Sequence, residues 1–170
     1  MHKKILFLLF LSSLMIFASE SKGGVAMKLT SPDFTDKGNL PAKFTADGQE
    51  INPSLDIEGI PQGTQSLVLI MDDPDAPKGT FTHWVVFDIP VTGRINEDSV
   101  PGKQGLNSIG EYGYVSPMPP SGTHRYVFKI YALDLKLGLP EGAKRAAIEQ
   151  AMQGHILARA ELTGLYKRSR

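Results

Sequence analysis

His83 and His124 each stand at the head of an apolar, β-branched run, Trp84–Ile89 and Arg125–Leu133. Asp73 and Asp75 stand just behind a third run, Leu67–Met71, in the stretch Asp72-Asp73-Pro74-Asp75-Ala76-Pro77. Two imidazoles, together with main-chain N–H groups from a Gly/Pro-rich loop, suit phosphate or another oxyanion. The neighbouring carboxylates would orient the imidazoles and keep them protonated by opposite charge. A plainer role for Asp73 and Asp75 is to cap turns by accepting backbone N–H bonds. His and Asp are also metal-ligand types, but their spacing here is not that of HExxH or a closed zinc pattern, so no metal is expected. No catalytic residue is assigned. The chain has no GxSxG and no cysteine, and Ser116 and Ser121 are ordinary loop serines ahead of His124.

These residues need strands to bring them to one rim. Ser66–Pro90 supplies the first pair. Leu67–Met71 has the length and composition of a buried strand, and the chain returns behind His83 as Trp84–Ile89. If the chain turns back between them, the acids and His83 share one edge. Arg125–Leu133 is a long strand rich in β-branched and aromatic residues and delivers His124 to the same edge. Further short strands are expected at Met27–Thr30, Lys43–Thr45 and Leu55–Glu58. Residues 91–120 read as a loop rich in Gly and Pro, which Tyr112 and Tyr114 would help to pack. Ala143–Gly154 is the clear helix, with Ala147, Ile148, Ala151 and Met152 at helical spacing. For Ile156–Tyr166 the alternation favours a strand, although a helix is the alternative. Arg125 would form a buried ion pair with Asp73 or Asp75. His155 would sit as a cation at the helix end. Trp84 and Tyr126 line the pocket or fill the core. The element count predicts a mostly β, antiparallel domain with one or two short helices.

Length and composition set the outer bounds. The 170 residues fit one domain, read as 27–170. Lys3-Lys4, followed by the apolar Ile5–Leu11 and Leu14–Phe17, has the layout of a secretory signal peptide over residues 1–26, cut between positions 18 and 26. A retained anchor is the alternative. The chain is therefore expected to be exported, to the periplasm or beyond. Loss of Lys3, Lys4 and Lys22 against Glu20 would take the formal charge from 0 to −2. A near-neutral domain without a basic cluster excludes nucleic acid as the main partner. With no cysteine, packing alone must supply stability.

Three segments together resemble the phosphatidylethanolamine-binding protein family, in its bacterial Raf kinase inhibitor-like branch of YbhB/YbcL type. They are Asp72-Asp73-Pro74-Asp75-Ala76-Pro77, His83-Trp84, and Pro119-Pro120-Ser121-Gly122-Thr123-His124-Arg125-Tyr126. The likeness extends from Leu29-Thr30-Ser31-Pro32 to Ala160-Glu161-Leu162. It implies a sandwich of two antiparallel β-sheets with a small anion pocket at one end. Carried over residue by residue, the pocket comprises Asp73, His83, Pro120, His124 and Tyr126. Pro74, Asp75, Trp84 and Arg125 support it. The implied ligand is a phosphate, a phosphorylethanolamine-like lipid head group or a carboxylate, with no cofactor. Where bacterial relatives often carry cysteines, this chain has Ala46 and Met118.

The expected function is thus a non-enzymatic binding protein, with a regulatory role as one form of it, for a small phosphorylated or carboxylated ligand. The alternatives are a protein-interaction module, such as a protease or kinase inhibitor or a secreted effector acting through Thr92–Pro120, and a weak hydrolase using an Asp/His pair. A homodimer is compatible with the sequence, which does not specify an oligomeric state.

Overall fold

The computed structural model describes residues 26–168. The expected signal segment, save Ala26, lies outside the described residues. In chain order the strands are β1 (Lys28–Thr30), β2 (Gly38–Asn39), β3 (Leu55–Glu58), β4 (Ser66–Asp73), β5 (Phe81–Ile89), β6 (Arg94–Ile95), β7 (Lys103–Gln104), β8 (His124–Leu133) and β9 (Ile156–Tyr166), with the helix α1 (Arg145–Met152) between β8 and β9. A three-stranded sheet, β1-β3-β6, packs on a six-stranded sheet ordered β2-β9-β8-β4-β5-β7. Every pairing is antiparallel except β2 with β9. The protein is mostly β, as expected.

β4 is buried along its whole length, because β5 and β8 flank it and both of its faces are covered. On one face Leu67, Leu69 and Met71 join Trp84, Val86, Tyr126, Phe128 and Ile130 in the core between the sheets. On the other, Val68, Ile70, Val85 and Phe87 receive Ile148 and Met152 of α1. This two-sided burial explains why β4 reads as a continuous apolar run and β8 as an alternation. The helix has only eight residues. That is too short to persist alone, so its packing on the sheet holds it.

Several local expectations are corrected. Residues 43–45 are not a strand: Ala42–Phe44 form a 3-10 turn started by Pro41, and Thr45 donates to the Ala42 carbonyl through both its N–H and its hydroxyl. The helix is shorter than Ala143–Gly154, because Lys144 is extended at its start. Gly154, at φ 79°, redirects the chain into β9. Residues 91–120 are mostly irregular but contain β6 and β7. Ile156–Tyr166 is the strand its alternation favoured.

Candidate functional site

The site is built at the end of β4, the start of β5 and the start of β8, which are adjacent in the sheet. A β-bulge sets its geometry. Met71 faces Trp84 and Asp72 faces Thr82, which leaves His83 as an extra residue in β5. A bulge sends two successive side chains to one face. Here Thr82 and Val85 point to the helix side, where they meet Arg145 and the Ile148 cluster respectively. His83 and Trp84 both turn inward, His83 against the Tyr126 ring at 5.3 Å between centroids and Trp84 into the inter-sheet core. Regular alternation in β8 puts His124 and Tyr126 on that same inward face.

The Asp73 carboxylate and both imidazoles have fixed partners. Asp73 divides its carboxylate: Oδ1 accepts the Asp75 N–H at 2.8 Å, and Oδ2 accepts the His124 Nδ1–H at 2.7 Å. The turn-capping role and the imidazole-orienting role are therefore both present, one on each oxygen. His124 Nε2 is left to face away from Asp73. The His83 Nδ1–H donates to the Val115 carbonyl at 2.7 Å, while the Val115 N–H donates to the His83 carbonyl at 3.0 Å. Tyr126 is fully buried, and its hydroxyl has no hydrogen-bond partner among the described residues. Burial pushes the Tyr126 phenol up, with Asp73 adding to it, so the group stays a neutral donor.

A cavity of about 200 Å³ opens where these groups converge. Asp73, His83, Pro120, His124 and Tyr126 all line it, together with Ala76, Pro77, Phe81, Val115, Ser116 and Met118. All five expected pocket residues are thus brought together. The supporting set divides. Trp84 is not in the cavity wall: it fills the core, and its Nε1–H donates to Gln104 at 3.0 Å. Pro74 is in the turn between Asp73 and Asp75 and is not part of the cavity lining. Arg125 pairs with Asp75 in a two-pronged contact at 2.7 and 2.9 Å, but the pair is exposed, not buried as expected. It lies on the outward face of β8, opposite to His124 and Tyr126. Asp75 is held at about 2 by the Arg125 side-chain bonds.

The expectation that nearby carboxylates keep both imidazoles charged fails for His83. Burial pushes its pKa below the ordinary value, against the opposing pull of the Val115 bond and the Asp73 and Asp72 charges. The His83 ring packs against Phe81 at 4.7 Å and against Tyr126 at 5.3 Å between centroids. His155 does not simply terminate α1: its Nδ1 bonds Asp134 at 2.9 Å, well away from the cavity. Ser116 lines the cavity, but its hydroxyl donates to Glu50 at 2.6 Å, not to either histidine. Among the described residues no group of three or more His, Cys, Asp or Glu could hold a metal ion, and no helix is long and apolar enough to cross a membrane.

Sequence reasoning missed Val115, which grips His83 through its main chain. A main-chain role leaves no trace in residue type. Phe81 and Met118 escaped for a related reason: they contribute apolar wall, which many residue types could provide.

The family profile described as phosphatidylethanolamine-binding protein matches residues 30–167. A UPF0098 protein of Aquifex aeolicus is 50% identical over 169 residues, covering 93% of this chain and 99% of its own length. Another, from Methanothermobacter thermautotrophicus, is 45% identical and covers 84% of this chain and 99% of its own. Among solved structures, a phosphatidylethanolamine-binding protein homolog from Chlamydia trachomatis superposes with TM-score 0.82 at 40% identity, over 85% of this chain and 99% of that one. YbcL of Escherichia coli superposes with TM-score 0.78 at 27% identity, over 85% and 100%.

Proposed function

The chain belongs to the phosphatidylethanolamine-binding protein family, and on that premise we propose that it is a non-enzymatic binding protein whose pocket takes a small anionic group. The ligand class is a phosphate, a phosphorylethanolamine-like head group or a carboxylate. One observation carries this choice: the Tyr126 hydroxyl is buried in the cavity wall with no protein acceptor among the described residues. A buried donor without a partner is costly, and an anionic oxygen satisfies it. His124, oriented by Asp73, and His83, oriented by Val115, each turn Nε2 away from those anchors. With Nε2 protonated as well as Nδ1, both imidazoles donate, and with the Tyr126 hydroxyl three donors converge on one anion.

Hydrolysis through a Ser116 nucleophile is disfavoured, because its hydroxyl is committed to Glu50 and is not activated by an imidazole. Acid–base hydrolysis by the Asp73–His124 pair is the second reading. The segment 92–120 supplies pocket wall through Val115, Ser116, Met118 and Pro120, so it serves the pocket before any partner. Export is part of the proposal: Lys3-Lys4 and the apolar residues behind them would send the pocket to anions outside the cytoplasm.

Titration with inorganic phosphate and phosphorylethanolamine, followed through the ring resonances of His83 and His124, tests the proposal. Saturable shifts of both rings, lost in folded His124→Ala, are expected. Flat titrations with both probes and with acetate would overturn it.

A further inference from the structure

We infer that Arg145 of α1 is a positioning residue for the anion pocket, acting through the sheet on the bulge that aims His83. The inference rests on the anion-pocket reading above for its binding consequence, but not for its structural one.

Asp72 and Thr82 precede Asp73 and His83 directly, and they face the opposite side of the sheet. There they form one polar cluster with two cations. Arg145 Nη1 donates to Asp72 Oδ1 and to the Thr82 hydroxyl oxygen, each at 2.5 Å. The Thr82 hydroxyl itself donates to Asp72 Oδ1 at 3.0 Å. Lys129 Nζ donates to Asp72 Oδ2 at 2.9 Å, and Arg145 Nε pairs with Glu149 at 2.8 Å. Asp72 is 1% exposed. Beside it on this face lies the apolar cluster of Val68, Ile70, Val85, Phe87 and Ile148.

A buried ion cluster is a poor way to gain stability, since its desolvation cost commonly matches its attraction, and apolar residues of similar volume serve as well. What it supplies is registration. One guanidinium nitrogen bridges β4 and β5 at the point where the ladder slips by one residue. Thr82 has also left its backbone donor and acceptor to Ser108, whose hydroxyl takes the Thr82 N–H while its own N–H bonds the Thr82 carbonyl. Its side chain adds a direct tie to β4 through Asp72. Without Arg145 the Asp72–Thr82 contact loses its bridge. The two residues that follow them, Asp73 and His83, then lose the fixed separation that lets them share one cavity.

The test compares wild type with Arg145→Met, Arg145→Lys and Thr82→Val in the full chain, reading the His83 and His124 ring resonances without ligand and then the affinity for inorganic phosphate. Arg145→Met is expected to move the His83 ring resonances in the ligand-free protein and to weaken phosphate binding about tenfold. Thr82→Val should move the same resonances. Arg145→Lys should restore the charge but only part of the affinity, because one ammonium does not replace a fixed guanidinium fork. Complete restoration by lysine would overturn the bridging role. So would unmoved rings in folded Arg145→Met or, should that variant fail to fold, in Thr82→Val. If wild type ignores phosphate while Arg145→Met still moves the rings, the anion reading fails and the positioning role stands.

Discussion

Asp73 Oδ2 lies 2.7 Å from His124 Nδ1 across the β4–β8 junction, with both side chains less than a tenth exposed. Fifty-one positions separate them in sequence. The bond fixes which imidazole nitrogen is spent on the protein and which one a ligand can meet.

Replacing that carboxylate while keeping its volume isolates its role. In Asp73→Asn the Oδ1 acceptor for the Asp75 N–H can persist, but the charged partner of His124 is gone. A hydrogen bond to a charged group contributes about 1.5–3 kcal/mol, so phosphate affinity should fall by about ten- to a hundredfold. Calorimetric titration checks this, and unchanged affinity would remove Asp73 from the site.

Tyr126→Phe separates binding from stability. The hydroxyl it removes is buried and has no partner among the described residues. Stability should therefore hold or rise by up to about 1 kcal/mol, while anion affinity drops about tenfold. Thermal melts with and without phosphate read both effects in one experiment. A destabilised variant with full affinity would contradict the assignment.

The His83 shift makes both stability and binding depend on pH. Its folded pKa is lowered from 6.5 by burial. Below that value the unfolded chain takes up a proton that the folded chain still refuses, so stability is complete above pH 6.5 and declines as pH falls towards the folded pKa. An anion in the pocket favours the imidazolium and reverses part of this loss. Sulfate, whose charge is constant over the range, should raise the melting temperature more at about pH 5.5 than at about pH 8. Equal shifts at both would show that His83 does not face the anion.

Gly105 packs where no side chain fits. A Cβ there would stand 2.6 Å from Ile148 Cδ1 and 3.0 Å from both the Ala143 carbonyl and Val85 Cγ1. Gly105→Ala must push the Ile148 side chain of α1 aside and crowd the Ala143 carbonyl, at a cost of about 1–3 kcal/mol. Chemical denaturation measures that cost. If Arg145 positions the bulge, phosphate affinity should weaken in the same variant.

Much of the pocket could be read from residue types alone. Acids after one apolar run and histidines before two others are legible because strand ends are marked by composition, and the alternation of β8 places His124 and Tyr126 together. The strand content, α1 and the rim shared by Asp73, His83 and His124 follow from such local patterns, whereas Pro120 and Tyr126 are placed there only by the family resemblance. The placement of Trp84 and Arg125 does not. Whether His83 and Trp84 share a face depends on the bulge opposite Asp72, a mismatch between two strands that neither strand encodes by itself. The exposure of Arg125–Asp75, the neutral state favoured for His83, the grip of Val115 and the reverse-face cluster on Asp72 depend on which chains pack against which. Local periodicity determines the elements of this protein; burial and register, which arise only between elements distant in sequence, decide what its pocket can do.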